Sequence, residues 1–210
     1  MEHYKETAAT WNKVATLYEE KFMDFTIYDE SYDFLCSQIV HPNANVLEVG
    51  CGPGMIAKYL LEKLPDLQIL GTDAAPNMVE LAQKNNPKGK FIQLDCREIL
   101  SLDQQFDIIL SGFCIPYLSD EDVTRFLSDS HGILNQNGLL YLSFVPGNAE
   151  KSGYQTGSSG DRVYFYYHSE DVIREKLKTF GFEFLKRFCI SYERTTREKE
   201  VHLVLIASKR

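Results

Sequence analysis

Nine residues constrain this chain more than any others: Val46-Leu-Glu-Val-Gly-Cys-Gly-Pro-Gly54. An apolar run over 45–50 enters a turn with glycine at 50, 52 and 54. Pro53 stands just inside the start of the next helix, where its missing N–H does no harm. Ile56, Leu60 and Leu64 then repeat at helical spacing, with Ala57 and Leu61 beside them. Glycine takes backbone angles closed to other residues and lets main chain approach a ligand closely. Strand, glycine turn and helix in that order point to an open parallel sheet, where ligands bind beyond the carboxyl ends of the strands.

The rest of the chain repeats the alternation. Residues 67–72 form a second apolar run that ends at Asp73. Pro76 opens a helix carrying Met78, Leu81 and Ala82. A third run, 90–94, ends at Asp95, and a fourth, 106–110, ends at Ser111-Gly112. Ser119 caps a helix with Asp120, Glu121 and Asp122 in its first turn and Val123, Phe126 and Leu127 on its apolar face. Asn137-Gly138 makes a turn into a fifth strand over 139–145. Residues 147–160 are polar and rich in glycine and serine, the pattern of a mobile loop. A short strand over 163–167 leads to Ser169, which caps a helix striped by Ile173, Leu177 and Phe180 and ended by Gly181. Two last runs, 182–192 and 201–207, predict an antiparallel pair across a short polar link. At the other end, residues 3–40 read as helical. Trp11, Val14, Ala15 and Tyr18 make one stripe there, and Tyr32, Leu35, Cys36, Ile39 and Val40 another. Alternating strands and helices predict an α/β chain with a mostly parallel sheet.

With 210 residues, the chain fits one domain. We divide it into a helical lid over 1–40, a core over 45–145, and a final part over 146–210. A net charge of −8 (22 Lys and Arg against 30 Asp and Glu) repels a phosphate backbone, so no nucleic-acid partner is expected. No apolar run approaches the ~20 residues of a membrane span, and residues 1–13 carry charges where a signal peptide needs an apolar core. No membrane association and a cytoplasmic location are expected. Cys36, Cys51, Cys96, Cys114 and Cys189 are odd in number and widely spaced, which reads as reduced thiols. No C-x-x-C pair or Cys/His cluster points to a metal. The oligomeric state, monomer or homodimer, is left open.

Two cofactors suit such a loop. A dinucleotide needs G-x-G-x-x-G, but the third glycine is here Met55, and Glu48 sits inside the strand. E-x-G-x-G-x-G instead resembles the first motif of the class I S-adenosylmethionine-dependent methyltransferases. The resemblance continues in order over roughly 45–145. Asp73 ends the second strand and Asp95-Cys96 the third; Phe106-Asp-Ile-Ile-Leu-Ser111 looks like the fourth motif, and Asn137-Gly-Leu-Leu-Tyr-Leu142 the turn into the fifth strand. Residues 11–18 resemble the segment before the core in many small-molecule members, of UbiE-like type. The resemblance implies a Rossmann-like, seven-stranded sheet, mostly parallel with an antiparallel C-terminal strand and helices on both faces.

It also implies S-adenosylmethionine as cofactor and a set of residues around it. Asp73 would receive both ribose hydroxyls, and Asp95 and the Cys96 amide would meet the adenine. Carbonyls near Gly50 would accept from the ammonium, with Cys51 and Gly52 in the same loop and Glu48 supporting it. Ala74 and Met78 would wall the adenosine, Ser111 would stand at the fourth strand's end, and Trp11 and Tyr18 would form a lid. Cys51 and Cys96 read as small residues close to backbone rather than nucleophiles.

The acceptor is less determined. Ser111-Gly-Phe-Cys114 stands where amino-group methylation of adenine or glutamine would show Asn/Asp-Pro-Pro-Tyr/Phe, and where magnesium-dependent catechol methylation would show an acid. A small-molecule acceptor remains, walled by Phe113, Ile115, Pro116, Tyr117, the 147–160 loop and residues 164–168. His168 is the candidate base, since imidazole titrates near neutrality; His3, His41 and His202 are expected at the surface. A cofactor-binding subunit without catalysis, or an NAD(P)-dependent oxidoreductase, are the alternative functions.

Overall fold

The structure, a computed structural model, describes residues 2–157, 160–193 and 199–210. Three helices come first: α1 (Glu2–Lys13), α2 (Ala15–Phe22) and α3 (Asp29–Gln38). The alternating part follows as β1 (Asn45–Val49), α4 (Met55–Lys63), β2 (Gln68–Asp73), α5 (Pro76–Asn85), β3 (Lys90–Gln93), β4 (Phe106–Gly112), α6 (Asp120–Ile133) and β5 (Leu134–Phe144). Then come β6 (Gly153–Thr156), β7 (Arg162–Phe165), α7 (Glu170–Thr179), β8 (Phe182–Glu193) and β9 (Lys199–Lys209).

Seven strands form one sheet in the order β3-β2-β1-β4-β5-β9-β8. The first five run parallel, and β9 alone is antiparallel to its neighbours. The chain order reverses at β1, which lies between β2 and β4. That switch point is where an open sheet leaves a crevice beyond its strand ends. β6 and β7 make a separate hairpin.

Side-chain alternation along the strands builds two cores. Leu47 and Val49 face one way, packing with Phe126 and Leu127 of α6 and Ile173 and Leu177 of α7. Val46 faces the other way, with Ile56, Ala57 and Leu60 of α4 and Tyr32 and Leu35 of α3. Helices therefore cover both faces.

Several boundaries differ from the sequence reading, each for a tertiary reason. The pair Phe106↔Leu134 starts β5 ahead of the Asn137-Gly138 turn, and the ladder resumes at Ile108↔Leu139 with the intervening residues outside the register. The N-terminal stripe breaks at Val14 (φ −96°, ψ 11°), which separates α1 from α2. The second stripe ends early, because Ile39 turns extended after α3 and Val40 is left 84% exposed. Within 147–160, a short 3-10 turn and β6 replace the expected loop, since β6 pairs with β7. Ser158 and Ser159 lie outside the described residues, as do residues 194–198, where the polar link falls.

Candidate functional site

β1 delivers the glycine turn to the crevice. Gly50, Gly52 and Gly54 all have positive φ, at 66°, 53° and 83°. At Gly50 an added Cβ would stand 3.0 Å from the Cys114 Cβ; at Gly54 it would stand 2.3 Å from the Asn86 Nδ2. Two independent constraints, handedness and space, thus require glycine at both positions. Asn86 closes the turn from behind by donating to the Gly54 and Ala82 carbonyls at 2.9 and 3.2 Å.

The cavity beside this turn is lined by eleven of the twelve proposed cofactor residues: Trp11, Tyr18, Glu48, Gly50, Cys51, Gly52, Asp73, Ala74, Met78, Asp95 and Cys96. Asp73, at the end of β2, accepts from the Gly52 N–H at 3.0 Å (Oδ2) and the Ala75 N–H at 2.9 Å (Oδ1). It ties the turn to the start of α5, and each carboxylate oxygen keeps further acceptor capacity. Burial raises its pKa, while the backbone N–H groups oppose that rise.

Glu48 is the most unusual group in the cavity. It is 1% exposed, and its Oε2 has no hydrogen-bond partner among the described residues. Desolvation pushes its pKa up to about 8, and the charge of Asp73 pushes the same way. A buried carboxyl without a partner is costly unless a cation or donor meets it.

Asp95 caps the 3-10 turn after β3. Its Oδ1 accepts from the Arg97 backbone N–H and Nε, both at 2.9 Å, and its Oδ2 accepts from Nη2 at 2.6 Å. Burial works against its ionisation, but the Arg97 hydrogen bonds and charge hold its carboxyl below the ordinary range. The Arg97 guanidinium in turn lies 4.1 Å from the centroid of the Tyr4 ring. Arg97 and Tyr4 both line the cavity and were missed from sequence. An arginine two residues past a strand-end aspartate was the available signal for the first. Tyr4 gave none, since it meets the site across the fold, where its hydroxyl donates to Asp122 and accepts from the Ser119 N–H.

α1 roofs the cavity. Asn12 binds α5 through Asn77, accepting from its backbone N–H at 2.8 Å and from Nδ2 at 2.9 Å. On the other flank, Thr10 donates to the Arg162 carbonyl and Lys13 reaches Asp161, each at 2.8 Å. Trp11 packs edge-on against Tyr18 (centroids 5.4 Å) and Tyr117 (5.6 Å), despite the break at Val14. Its Nε1 is buried with no hydrogen-bond partner among the described residues.

Two proposed residues sit elsewhere. Ser111 is fully buried inside β4 and does not line the cavity: the strand runs on to Gly112, so Gly112 and Phe113 reach the edge instead. His168 is also buried, bridged to Pro146, with its Nε2 at 3.2 Å from the Ile115 carbonyl and 3.1 Å from the Leu118 carbonyl. Two carbonyl partners require the proton on Nε2. Burial lowers its pKa, so the ring is a neutral clamp on the 115–118 turn rather than a base in the cavity. His202 is likewise only 6% exposed, not at the surface. Leu81 packs with Trp11 and Tyr18 outside the cavity lining. Among the described residues, no group of three or more His, Cys, Asp and Glu side chains could hold a metal ion. No helix among them is long and apolar enough to cross a membrane.

Comparison with known proteins matches this segment to a family. Residues 46–138 match the family described as "Methyltransferase domain" (Methyltransf_25). A demethylmenaquinone methyltransferase from Thermotoga maritima is 33% identical over 107 residues, covering 50% of this chain and 46% of that protein. A putative methyltransferase of Invertebrate iridescent virus 6 is 30% identical over 118 residues, covering 56% and 43%. The match thus spans less than half the length of these curated relatives. Among solved structures, a Burkholderia thailandensis 1,6-didemethyltoxoflavin-N1-methyltransferase, bound to 1,6-didemethyltoxoflavin and S-adenosylhomocysteine, superposes with TM-score 0.74. It is 18% identical, and the match covers 99% of this chain and 89% of that one. A Methanosarcina mazei S-adenosylmethionine-dependent methyltransferase gives TM-score 0.70 at 18% identity, covering 83% and 96%. At these identities the structural likeness is one of fold. The family match and the likeness of fold fall on the same stretch: residues 46–138 are similar to the methyltransferase domain family, and the sheet they build has the fold of these solved methyltransferase structures.

Proposed function

We propose that this chain transfers a methyl group from S-adenosylmethionine to a small molecule, acting as one domain of three parts: a lid over 1–40, a core over 45–145 and an acceptor side over 146–210. The observation that carries this reading is the pair of carboxyls at the glycine turn, Glu48 buried and Asp73 half-buried. Glu48 Oε2 has no partner and Asp73 keeps acceptor capacity, both in the cavity wall. A ligand bearing an ammonium and two vicinal hydroxyls suits both; a pyrophosphate would bring its own negative charge against the two carboxyls instead.

S-adenosylmethionine supplies a methyl already activated on a sulfonium. What is left to the protein is alignment and exclusion of water. Asp73 holds the ribose hydroxyls. Glu48 faces the ammonium, with carbonyls around Gly50, Cys51 and Gly52 assisting. Asp95 and the Cys96 amide meet the adenine edge, Ala74 and Met78 wall the adenosine, and Trp11 and Tyr18 cover it. Phe113 and Tyr117 present aromatic surface to the acceptor. The Thermotoga maritima relative supports a place in the UbiE-like, small-molecule branch. The free cysteines among the described residues fit a reducing, cytoplasmic setting.

The test is thermal. S-adenosylmethionine and S-adenosylhomocysteine should each raise the melting temperature, because a ligand bound only by the folded chain stabilises it, while NAD should not. Stabilisation by NAD alone would overturn the reading.

A further inference from the structure

Beyond the cavity wall lies a chain of three titratable side chains outside the cofactor residues. Phe113, the first residue past β4, holds φ at 56°, a strained value for a bulky side chain, and lines the cavity. Behind its ring stand Tyr28 (centroids 5.5 Å) and His202 (4.8 Å). The Tyr28 hydroxyl is 2.5 Å from the His202 Nδ1, and the two ring planes are 4° from parallel. The other ring nitrogen, Nε2, is 2.8 Å from Glu200 Oε1. A carboxylate only accepts, so the imidazole proton sits on Nε2 and Nδ1 accepts from the phenol. The order O–H, imidazole, carboxylate is that of a nucleophile or base backed by an oriented histidine.

We propose that Tyr28, His202 and Glu200 form the proton relay of methyl transfer, serving an aromatic acceptor that carries an ionisable O–H or N–H. This rests on the methyltransferase reading above. The half-buried Phe113 ring separates the relay from the cavity, and its rotation brings the Tyr28 hydroxyl to the acceptor. Phe25 and Tyr192 complete the aromatic surround, at 6.1 Å from Tyr28 and 4.9 Å from His202. On the cavity side, the Phe113 and Tyr117 rings select a flat, apolar body.

The step balances without an outside reagent. The acceptor's lone pair forms the new bond to the methyl carbon, and the carbon–sulfur bond breaks with its electrons going to sulfur. The acceptor's proton passes to the Tyr28 oxygen as Tyr28's own proton passes to Nδ1. The resulting imidazolium stays paired with Glu200. Tyr28 is the catalytic residue of the three, and His202 and Glu200 are positioning residues acting through it.

The surroundings of Tyr28 favour this exchange over a standing phenolate. Burial pushes its pKa up, and Tyr18, Tyr141, Tyr192 and Glu200 add to the rise. Tyr28 gives one proton as it takes another, so it never needs to ionise.

Two measurements decide the matter. In the unmodified protein, nitrogen–proton correlation spectra should place the His202 proton on Nε2; a proton on Nδ1 would sink the relay, and this needs no variant. Second, 4-nitrophenol serves as a coloured acceptor probe added to the complex with S-adenosylhomocysteine. Its bound form should ionise at a lower pH than free probe. Tyr28→Phe, His202→Gln and Glu200→Gln should each lose that shift and still bind S-adenosylhomocysteine. Equal ionisation in the variants that fold, or no binding of the probe to the parent complex, overturns the relay. Failure of the parent protein to bind S-adenosylhomocysteine overturns the methyltransferase reading, and the relay with it.

Discussion

The floor and the roof of the cavity are built by opposite means. The floor is main chain: three glycines held at positive φ, backbone N–H groups satisfied by Asp73, and strand ends in parallel register. The roof is α1, held on by side chains at the surface. Lys13 to Asp161 and Arg162 to Glu6 are ion pairs with at least one strongly exposed member, at 2.8 and 2.5 Å. Exposed pairs of this kind are weak ties, screened by water and salt. A floor fixed by geometry sets what binds, whereas a roof held by weak ties opens to admit it.

The sharpest way to break this contrast is at Asp73, where the effect should be largest. Asp73→Ala removes a charged acceptor for the ribose and releases the Gly52 and Ala75 amides. Hydrogen bonds to a charged group contribute about 1.5–3 kcal/mol, so affinity for S-adenosylhomocysteine should fall by at least about tenfold. Isothermal titration reads this directly. Unchanged affinity would remove Asp73 from the site.

Glu48 comes next. Its pKa is raised to about 8 from an ordinary 4.5. Between those values the folded chain binds more protons than the unfolded one, so Glu48 subtracts from stability progressively as pH rises through that window. An ammonium bound beside it requires the ionised form. Binding should therefore release a proton and tighten as pH rises from about 6 to about 7.5, by at most about tenfold per unit. Titrations in buffers of different ionisation heat would count the proton. Glu48→Gln should flatten the pH dependence; a slope that survives the substitution would place the titrating group elsewhere.

The same contrast explains what could be read before any coordinates. On the floor, Gly, Pro and Asp mark the ends of elements, so the turn at 50–54, Asp73 and Asp95 were legible as a site. Ser111 misled because one more residue of β4 separates it from the edge. On the roof side, partners are far apart in sequence. Tyr28 meets His202 across 174 positions and Tyr4 meets Asp122 across 118, and no local periodicity encodes either. A histidine that titrates near neutrality reads as a base from sequence alone. Only the two carbonyls at its Nε2 reveal His168 as a clamp.

The smallest expected effect sharpens the contrast from above. Lys13→Ala removes one exposed tie of the roof; Glu6→Ala removes two, to Arg162 and to the Tyr154 hydroxyl. Neither side chain lines the cavity. Equilibrium affinity for S-adenosylhomocysteine should then change by only about two- to fivefold. Most of that change should appear as faster release, because changes of affinity within one site fall mainly on the off-rate. Stopped-flow displacement separates the two rates. The double variant should depart from simple addition of the two effects, since the two pairs end on the adjacent residues Asp161 and Arg162. Were either variant to lower affinity as far as Asp73→Ala does, the surface ties of the roof would matter as much as the floor's carboxylate, and the division between a floor that selects and a roof that opens would have to be abandoned.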